Sequence, residues 1–231
     1  MIKIKKMTVK KQLTYLFIVL TTIVFGQTKQ KENLSDFLPK GYEIFEKIYG
    51  DLNNDNVKDC ILIIKNTDKA KIVLDEYKHT VDRNRRGIVI LLNRKGKYEI
   101  VVRNYDCFSS ENEDGGIYMP PDLSLEIKKG KLYVNYGYGR YGYWCYIFRI
   151  RNSDFELIGY DSSSNRGPIV NKEISINFLT KKKRVRENKN ENEEQESGDE
   201  IFKEIWGNIT VKKLLKLSSI KDFDELDMES Y

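Results

Sequence analysis

Residues 51–64, which read DLNNDNVKDCILII, join a polar turn to the start of an apolar strand. Asp and Asn recur at alternate positions from Asp51 to Asp55, and both residue types favour turns because their side chains bond to the nearby backbone. The run Cys60–Ile64 is continuously apolar, which is typical of a buried strand. The stretch therefore predicts a β-rich fold in which a tight polar loop leads into a core strand.

The oxygen-bearing side chains of this loop have the spacing of a calcium site. Calcium is a hard cation that takes about six to eight oxygen ligands at flexible geometry. We expect Asp51, Asn53 and Asp55 to supply the first three ligands and the Val57 carbonyl oxygen the next. Asp59 would close the site directly or through water. The alternative is an Asx-rich turn that holds no ion.

The loop departs from the EF-hand, because its twelfth position is Leu62 rather than Glu and a strand follows it. The run Gly50–Asp59 resembles the calcium loop of FG-GAP (integrin-type) repeats, which joins two strands. It differs from that pattern at Asn56, where Gly is usual because the turn needs a positive φ. Asn is the next best tolerated residue there. The motif occurs once, so the resemblance implies a calcium site but no propeller of repeats.

The amino terminus predicts a signal peptide over residues 1–26. Basic residues between Lys3 and Lys11 precede an apolar run, Leu13–Phe25, that is too short to span a bilayer comfortably. Gly26 supplies a small residue before a cleavage point at Gln27. We therefore expect a periplasmic or secreted protein with no stable membrane insertion after signal removal. Together with abundant Lys, Asn and Ile, Gln27 makes the chain resemble exported proteins of Bacteroidetes-type bacteria, which implies location only.

The charge of the chain gives no support to nucleic-acid binding. The whole sequence has 40 basic and 35 acidic side chains, but residues 1–26 hold five lysines and no acid. The rest of the chain is therefore balanced, with 35 of each, and the apparent basicity belongs to the predicted signal.

Residues 27–231 predict a single β-rich domain. Aromatic residues are plentiful and Pro is scarce. Hairpins are indicated at 87–103, 123–136 and 143–160, each with a turn signal near its centre. The predicted fold is mainly β: an antiparallel meander of about eight to ten strands, forming a sandwich or a partial barrel or propeller-like sheet, with one or two short helices.

Less regular segments complete this prediction. Residues 68–86 indicate a loop with at most a helical turn, and 212–219 is the best late helix candidate. Residues 173–179 alternate in polarity as a half-buried strand does, and 201–211 are expected to pair with them. The polar stretch 187–200, which follows a basic run, is expected to be a disordered, solvated loop.

Aromatic residues and cysteines suggest further sites. Tyr138, Tyr141 and Trp144 lie in a Tyr- and Gly-rich segment and form a candidate aromatic surface for a glycan or an envelope protein. The alternative is that these rings fill the core. Because export permits disulfides, Cys107 and Cys145, which lie beside loops, are the expected pair. Cys60 opens a strand and is expected to be a small buried hydrophobe.

The sequence favours a protein that is not an enzyme. His79 is the only histidine, so the sequence gives little support to a serine triad or a His-rich metal site. A second acidic loop, 106–116, lacks the alternating spacing of a cation site. The predicted function is an exported calcium-binding structural or binding domain. The alternatives are an envelope glycan-acting hydrolase or carbohydrate-binding module, and an enzyme-inhibitor or immunity-type protein.

Overall fold

The predicted hairpins are present in the computed structural model, which describes residues 33–113, 120–192, 194 and 196–231. The predicted signal peptide, residues 1–26, lies outside the described residues. The strands are, in chain order, β1 (Tyr42–Gly50), β2 (Asp59–Asn66), β3 (Ile72–Leu74), β4 (Thr80–Asp82), β5 (Arg86–Arg94), β6 (Lys97–Phe108), β7 (Asp122–Lys128), β8 (Lys131–Gly137), β9 (Gly142–Arg151), β10 (Asp154–Arg166), β11 (Ile169–Asn177), β12 (Lys182–Asn188) and β13 (Phe202–Asn208).

The described strands form an antiparallel meander, as the sequence predicted. One sheet has the order β1-β2-β5-β6, and the other runs β13-β12-β11-β10-β9-β8-β7. The short hairpin β3-β4 is inserted between β2 and β5. Helical structure in the described parts of the chain is limited to 3-10 turns, at Leu34–Phe37, Lys69–Lys71, Gly139–Tyr141 and Leu217–Ser219. The fold is therefore mainly β.

The two sheets share one hydrophobic core. Alternate residues of β2 and β5, such as Ile61, Ile88 and Ile90, pack in one cluster with Val134 of β8 and Phe148 of β9. The opposite faces of β2 and β5 are covered in a second cluster, which includes Leu62, Val89 and the amino-terminal Phe37. Both faces of these strands are therefore buried, and this explains their continuous apolar sequence.

The predicted pairing of residues 173–179 with residues 201–211 was wrong. β13 pairs with β12, and β12 separates it from β11. The basic run around Lys182 thus begins a strand instead of leading into a loop. Charged residues are tolerated there because β12 is only half-buried, and Arg186 pairs with Glu173 on the neighbouring strand. Part of the predicted loop 187–200 also belongs to β12, and the region 68–86 contains the β3-β4 hairpin.

The carboxyl-terminal segment, residues 209–231, joins the two sheets. The helix predicted over 212–219 is absent, and only the 3-10 turn Leu217–Ser219 forms there. Asn104 of β6 donates from Nδ2 to the carbonyl oxygens of Leu217 and Ile220, at 2.8 and 2.6 Å. The backbone N–H of Phe223 donates to Cys107 O at 3.0 Å, and that of Leu157 on β10 donates to Leu215 O at 2.8 Å. Tertiary hydrogen bonds therefore replace those a helix would supply.

The described residues between 33 and 231 form one compact unit. Within the described part of the chain, no helix is long and apolar enough to cross a membrane.

Candidate functional site

The β1-β2 loop is organised around the carboxylate of Asp51. Its Oδ1 accepts the backbone N–H groups of Asn53 and Asp55, at 3.3 and 3.1 Å, and its Oδ2 accepts that of Asn56 at 2.8 Å. Burial raises the pKa of Asp51, but these N–H donors outweigh it and the net pKa is lowered. Asn56 has φ of +64°, the left-handed conformation predicted for the sixth loop position.

Asn53 and Asp55 turn their oxygens toward the same part of the loop. The Asp55 N–H is shared between Asp51 Oδ1 and Asn53 Oδ1, at 3.1 and 3.0 Å, so these two oxygens are held close together. Asn53 Nδ2 donates to Asp55 Oδ2 at 2.9 Å, and Asp55 Oδ1 accepts the Val57 N–H at 2.8 Å. Three of the four predicted side-chain ligands therefore converge on one turn.

Asp59 has a different position, at the buried start of β2. It is fully buried, and both carboxylate oxygens accept backbone N–H groups: Oδ2 from Leu52 and Oδ1 from Asn93, at 2.8 and 2.9 Å. Burial raises the pKa of Asp59 and outweighs the two N–H donors, which lower it, while the nearby carboxylates of Asp55 and Asp51 raise it further. Asp59 thus joins the loop to the end of β5.

The loop also lies against the β7-β8 turn. A Cβ added at Gly130, where φ is +65°, would lie 2.3 Å from Asn54 Nδ2. A side chain at position 130 would displace the exposed amide of Asn54, and the positive φ itself favours glycine. The loop therefore lies where the two sheets meet, held by Asp59 on one side and in contact with the hairpin turn on the other.

The carboxylates of the loop alone do not form a cation site. Within the described residues, no group of three or more His, Cys, Asp or Glu side chains is placed to hold a metal ion. The predicted ligand set also relies on the Asn53 amide oxygen and the Val57 carbonyl oxygen. Any ion here would be held by a mixed set of oxygens rather than by three acids.

The predicted aromatic surface is divided. Tyr138 and Tyr141 contact each other, with ring centroids 5.4 Å apart, and both border a shallow depression with Arg140. Trp144 instead stacks on Tyr136 with ring centroids 5.3 Å apart and planes at 11°. Tyr141 and Trp144 do meet at a second depression, on the β9-β10 side of the sheet.

Trp144 borders a cleft of about 360 Å³ that sequence reasoning missed. Its aromatic wall comes from β8, β9, β10 and the carboxyl-terminal segment, and consists of Tyr136, Trp144, Tyr146, Tyr160 and Phe223. Its polar side chains include Arg86, Ser109, Ser110, Glu113 and Asp224. No linear motif unites these positions, because the meander and the carboxyl-terminal segment bring them together. The density of Tyr around residue 136 was the one available signal.

A charged cluster lies beside the cleft. Lys65 bonds to Asp82 at 2.8 Å and to Glu111, and its side chain is 6% exposed. Burial lowers the pKa of Lys65, but the two carboxylates outweigh burial and the net pKa is raised. Arg86 donates from Nε to Ser109 O at 2.9 Å and has Glu111 Oε2 at 3.8 Å. Glu111, from the second acidic loop, is thus engaged by buried cations of the chain itself.

Tyr136 has an unusual environment within this cleft. The residue is 5% exposed, and its hydroxyl has no hydrogen-bond partner among the described residues. Burial raises its pKa, so the hydroxyl stays neutral. A buried hydroxyl without a partner is destabilising, and it is a natural point of contact for a bound molecule.

The predicted disulfide between Cys107 and Cys145 is absent from the structure, and all three cysteines are free and buried. Cys107 is the last but one residue of β6 and belongs to the core between the sheets. Cys145 lies on β9 between Trp144 and Tyr146, which point into that core, so strand alternation directs its side chain to the other face. The two thiols therefore face different environments. Cys60 is fully buried, as expected.

We expect the three thiols to be unreactive in the native protein. Burial raises the pKa of Cys60 to about 11 and that of Cys145 to about 12, and it also raises the pKa of Cys107. A thiol reagent at neutral pH should label native protein slowly and should label all three cysteines in denaturant without reductant. A linked Cys107–Cys145 peptide in unreduced protein would contradict this result.

Comparison of the chain with models of known protein families, with curated proteins and with solved structures gave no match.

Proposed function

We propose that the protein is an exported β-domain whose β1-β2 loop binds one calcium ion and that it serves a structural or binding role in the cell envelope without catalysis. The observation that carries the calcium proposal is the convergence of Asp51, Asn53 and Asp55 on one turn. The donors are all oxygens, which suits a hard cation. Export rests on the sequence pattern of residues 1–26 alone.

The loop residues fit a calcium ion in defined roles. Asp51, Asn53 and Asp55 would hold it through side-chain oxygens, and Val57 through its carbonyl oxygen. Asp59 would act directly or through water, since its two oxygens already accept backbone N–H groups. The ion would neutralise neighbouring carboxylates and fix the turn between β1 and β2. The function of the loop would then be to stabilise the junction of the two sheets.

We expect calcium to raise the melting temperature of the protein. Stabilisation by mass action is about 2.7 kcal/mol when free calcium is about a hundred times the dissociation constant. For a domain of this size that corresponds to about 5–10 °C. Magnesium should have a smaller effect, because it demands stricter octahedral geometry. Thermal unfolding in millimolar calcium, in magnesium and in chelator measures these differences.

Asp55→Ala is the informative variant, because Asp55 supplies a predicted ligand and its carboxylate is less engaged than that of Asp51. It should abolish the difference between calcium and chelator. Asp75→Ala is a matched control: Asp75 also accepts two backbone N–H groups, from Tyr77 and His79, but lies outside the loop. It should keep the full calcium response. Equal melting temperatures for the unmodified protein in calcium and in chelator would contradict the calcium proposal and support the alternative, an Asx-rich turn that holds no ion.

The alternative of a carbohydrate-binding module is favoured by one specific observation, the aromatic cleft that Trp144 borders. The hydrolase and the inhibitor or immunity-type alternatives stay predictions from the sequence.

A further inference from the structure

We propose that the cleft bordered by Tyr136 and Trp144 binds a neutral saccharide unit. This site is separate from the calcium loop and does not depend on it. At about 360 Å³ the cleft lies within the size range of small-molecule sites, about 300–1,000 Å³.

The shape and composition of the cleft suit a ring with an apolar face and hydroxyl groups on its edge. Trp144 is half-buried, and Tyr160 borders the cleft beside it. Flat aromatic surfaces pack on the C–H face of a sugar ring, and tyrosine and tryptophan add polar atoms at their edges. Arg86 supplies hydrogen-bond donors and Asp224 supplies acceptors. Ligand hydroxyl groups can meet both, because each hydroxyl donates and accepts.

The charge of the cleft argues against an anionic ligand. Among its described lining residues, one is basic, Arg86, and two are acidic, Glu113 and Asp224. Glu111 Oε2 lies 3.8 Å from Arg86 and partly neutralises it, so an anionic ligand would meet more negative than positive charge. A neutral ligand avoids this penalty, and a titration with choline tests whether the acids favour a cation instead.

Tyr136 gives the cleft an unused polar group. Its hydroxyl is buried and has no partner among the described residues, whereas that of Tyr146 donates to Phe223 O at 3.3 Å. We assign the Tyr136 hydroxyl as a positioning contact for a sugar hydroxyl. In the free protein this unpaired hydroxyl costs stability, and a ligand hydroxyl that pairs with it would remove that cost.

Tryptophan fluorescence can report directly on this cleft. The chain has two tryptophans, and Trp206 on β13 is 62% exposed. The Trp206→Phe variant of the full chain therefore leaves Trp144 as the sole tryptophan. We would titrate it with glucose, galactose, N-acetylglucosamine and their β-linked disaccharides, and separately with choline and benzoate as cationic and anionic probes. We expect at least one saccharide to change Trp144 emission saturably, in calcium and in chelator alike.

The deciding variant is Tyr136→Phe in the same background, since it removes only the hydroxyl. It should weaken saccharide binding about tenfold, the effect of one hydrogen bond. Its melting temperature should be unchanged or higher, because an unpaired buried group is removed. Tyr133→Phe is the matched control: Tyr133 is on the same strand but, three residues away, faces the opposite side. It should leave the affinity unchanged.

Three results would overturn the proposal. One is the absence of a response to every saccharide, and another is a response only to choline or to benzoate. The third is saccharide binding of equal strength in the Tyr136→Phe variant and its parent. None of these results bears on the calcium response, so the two proposals fail separately.

Discussion

Replacing Phe223 by alanine is expected to lower the free energy of unfolding by about 3–5 kcal/mol. The ring is 1% exposed and lies at the centre of an aromatic cluster. It stacks on Phe108 with ring centroids 5.0 Å apart, and it meets Tyr146 edge-on at the same distance. Phe108 comes from one sheet and Tyr146 from the other, so the lost packing lies at the contact between the sheets.

The expected loss can be measured by denaturant and thermal unfolding. The melting temperature should fall by about 6–20 °C for a domain of this size. Leu179→Ala is a suitable control, because Leu179 is 44% exposed and should change stability little. The loss of stability for Phe223→Leu should lie between those of the other two variants, since leucine keeps part of the buried volume. A loss below about 1 kcal/mol for Phe223→Ala would show that the carboxyl-terminal segment is not an integral part of the core.

The importance of Phe223 could not be read from the sequence. The sequence predicted a helix over residues 212–219, and Phe223 lies beyond the end of that prediction. The segment instead bonds to Asn104 and Cys107, which are more than a hundred residues away in sequence. Local periodicity carries no information about such partners, because it reflects only which residues share a face of a regular element.

The central strands were predictable for the opposite reason. Runs such as Cys60–Ile64 are apolar at every position, and only a strand covered on both faces needs this. β12 was missed because its half-buried position permits charge, and cross-strand pairs such as Arg186–Glu173 help to stabilise it. Charge patterns of this kind also occur in solvated loops, so composition does not separate the two.

The two candidate sites also differ in how far they depend on local sequence. The β1-β2 loop was recognised because its polar residues are consecutive, and the side-chain hydrogen bonds of Asp51, Asn53 and Asp55 join residues at most five positions apart. The cleft was missed because Arg86, Tyr136 and Asp224 belong to distant segments. For Asp59, the sequence predicted its place in the loop motif. It could not predict the hydrogen bond from Asn93, which lies 34 positions away.

Asp59→Ala is expected to destabilise the protein by about 3 kcal/mol even in chelator. Burial makes the ionised carboxylate costly, as its raised pKa indicates. Removing it is worse, because the N–H groups of Leu52 and Asn93 lose their acceptor, at about 1–3 kcal/mol for each buried group left unpaired. Asp59→Asn keeps one acceptor oxygen and should lose about half as much.

Measuring Asp59→Ala and Asp55→Ala side by side separates the two roles of the loop. In chelator, Asp55→Ala should cost far less than Asp59→Ala, because Asp55 is exposed while Asp59 is fully buried. In calcium, both variants should lose the stabilisation that the ion gives the unmodified protein. If the cost of Asp59→Ala appeared only in calcium, Asp59 would act as a ligand alone, and its bonds to Leu52 and Asn93 would not hold the loop. A cost in both conditions means that the chain itself holds the loop in place before any ion arrives.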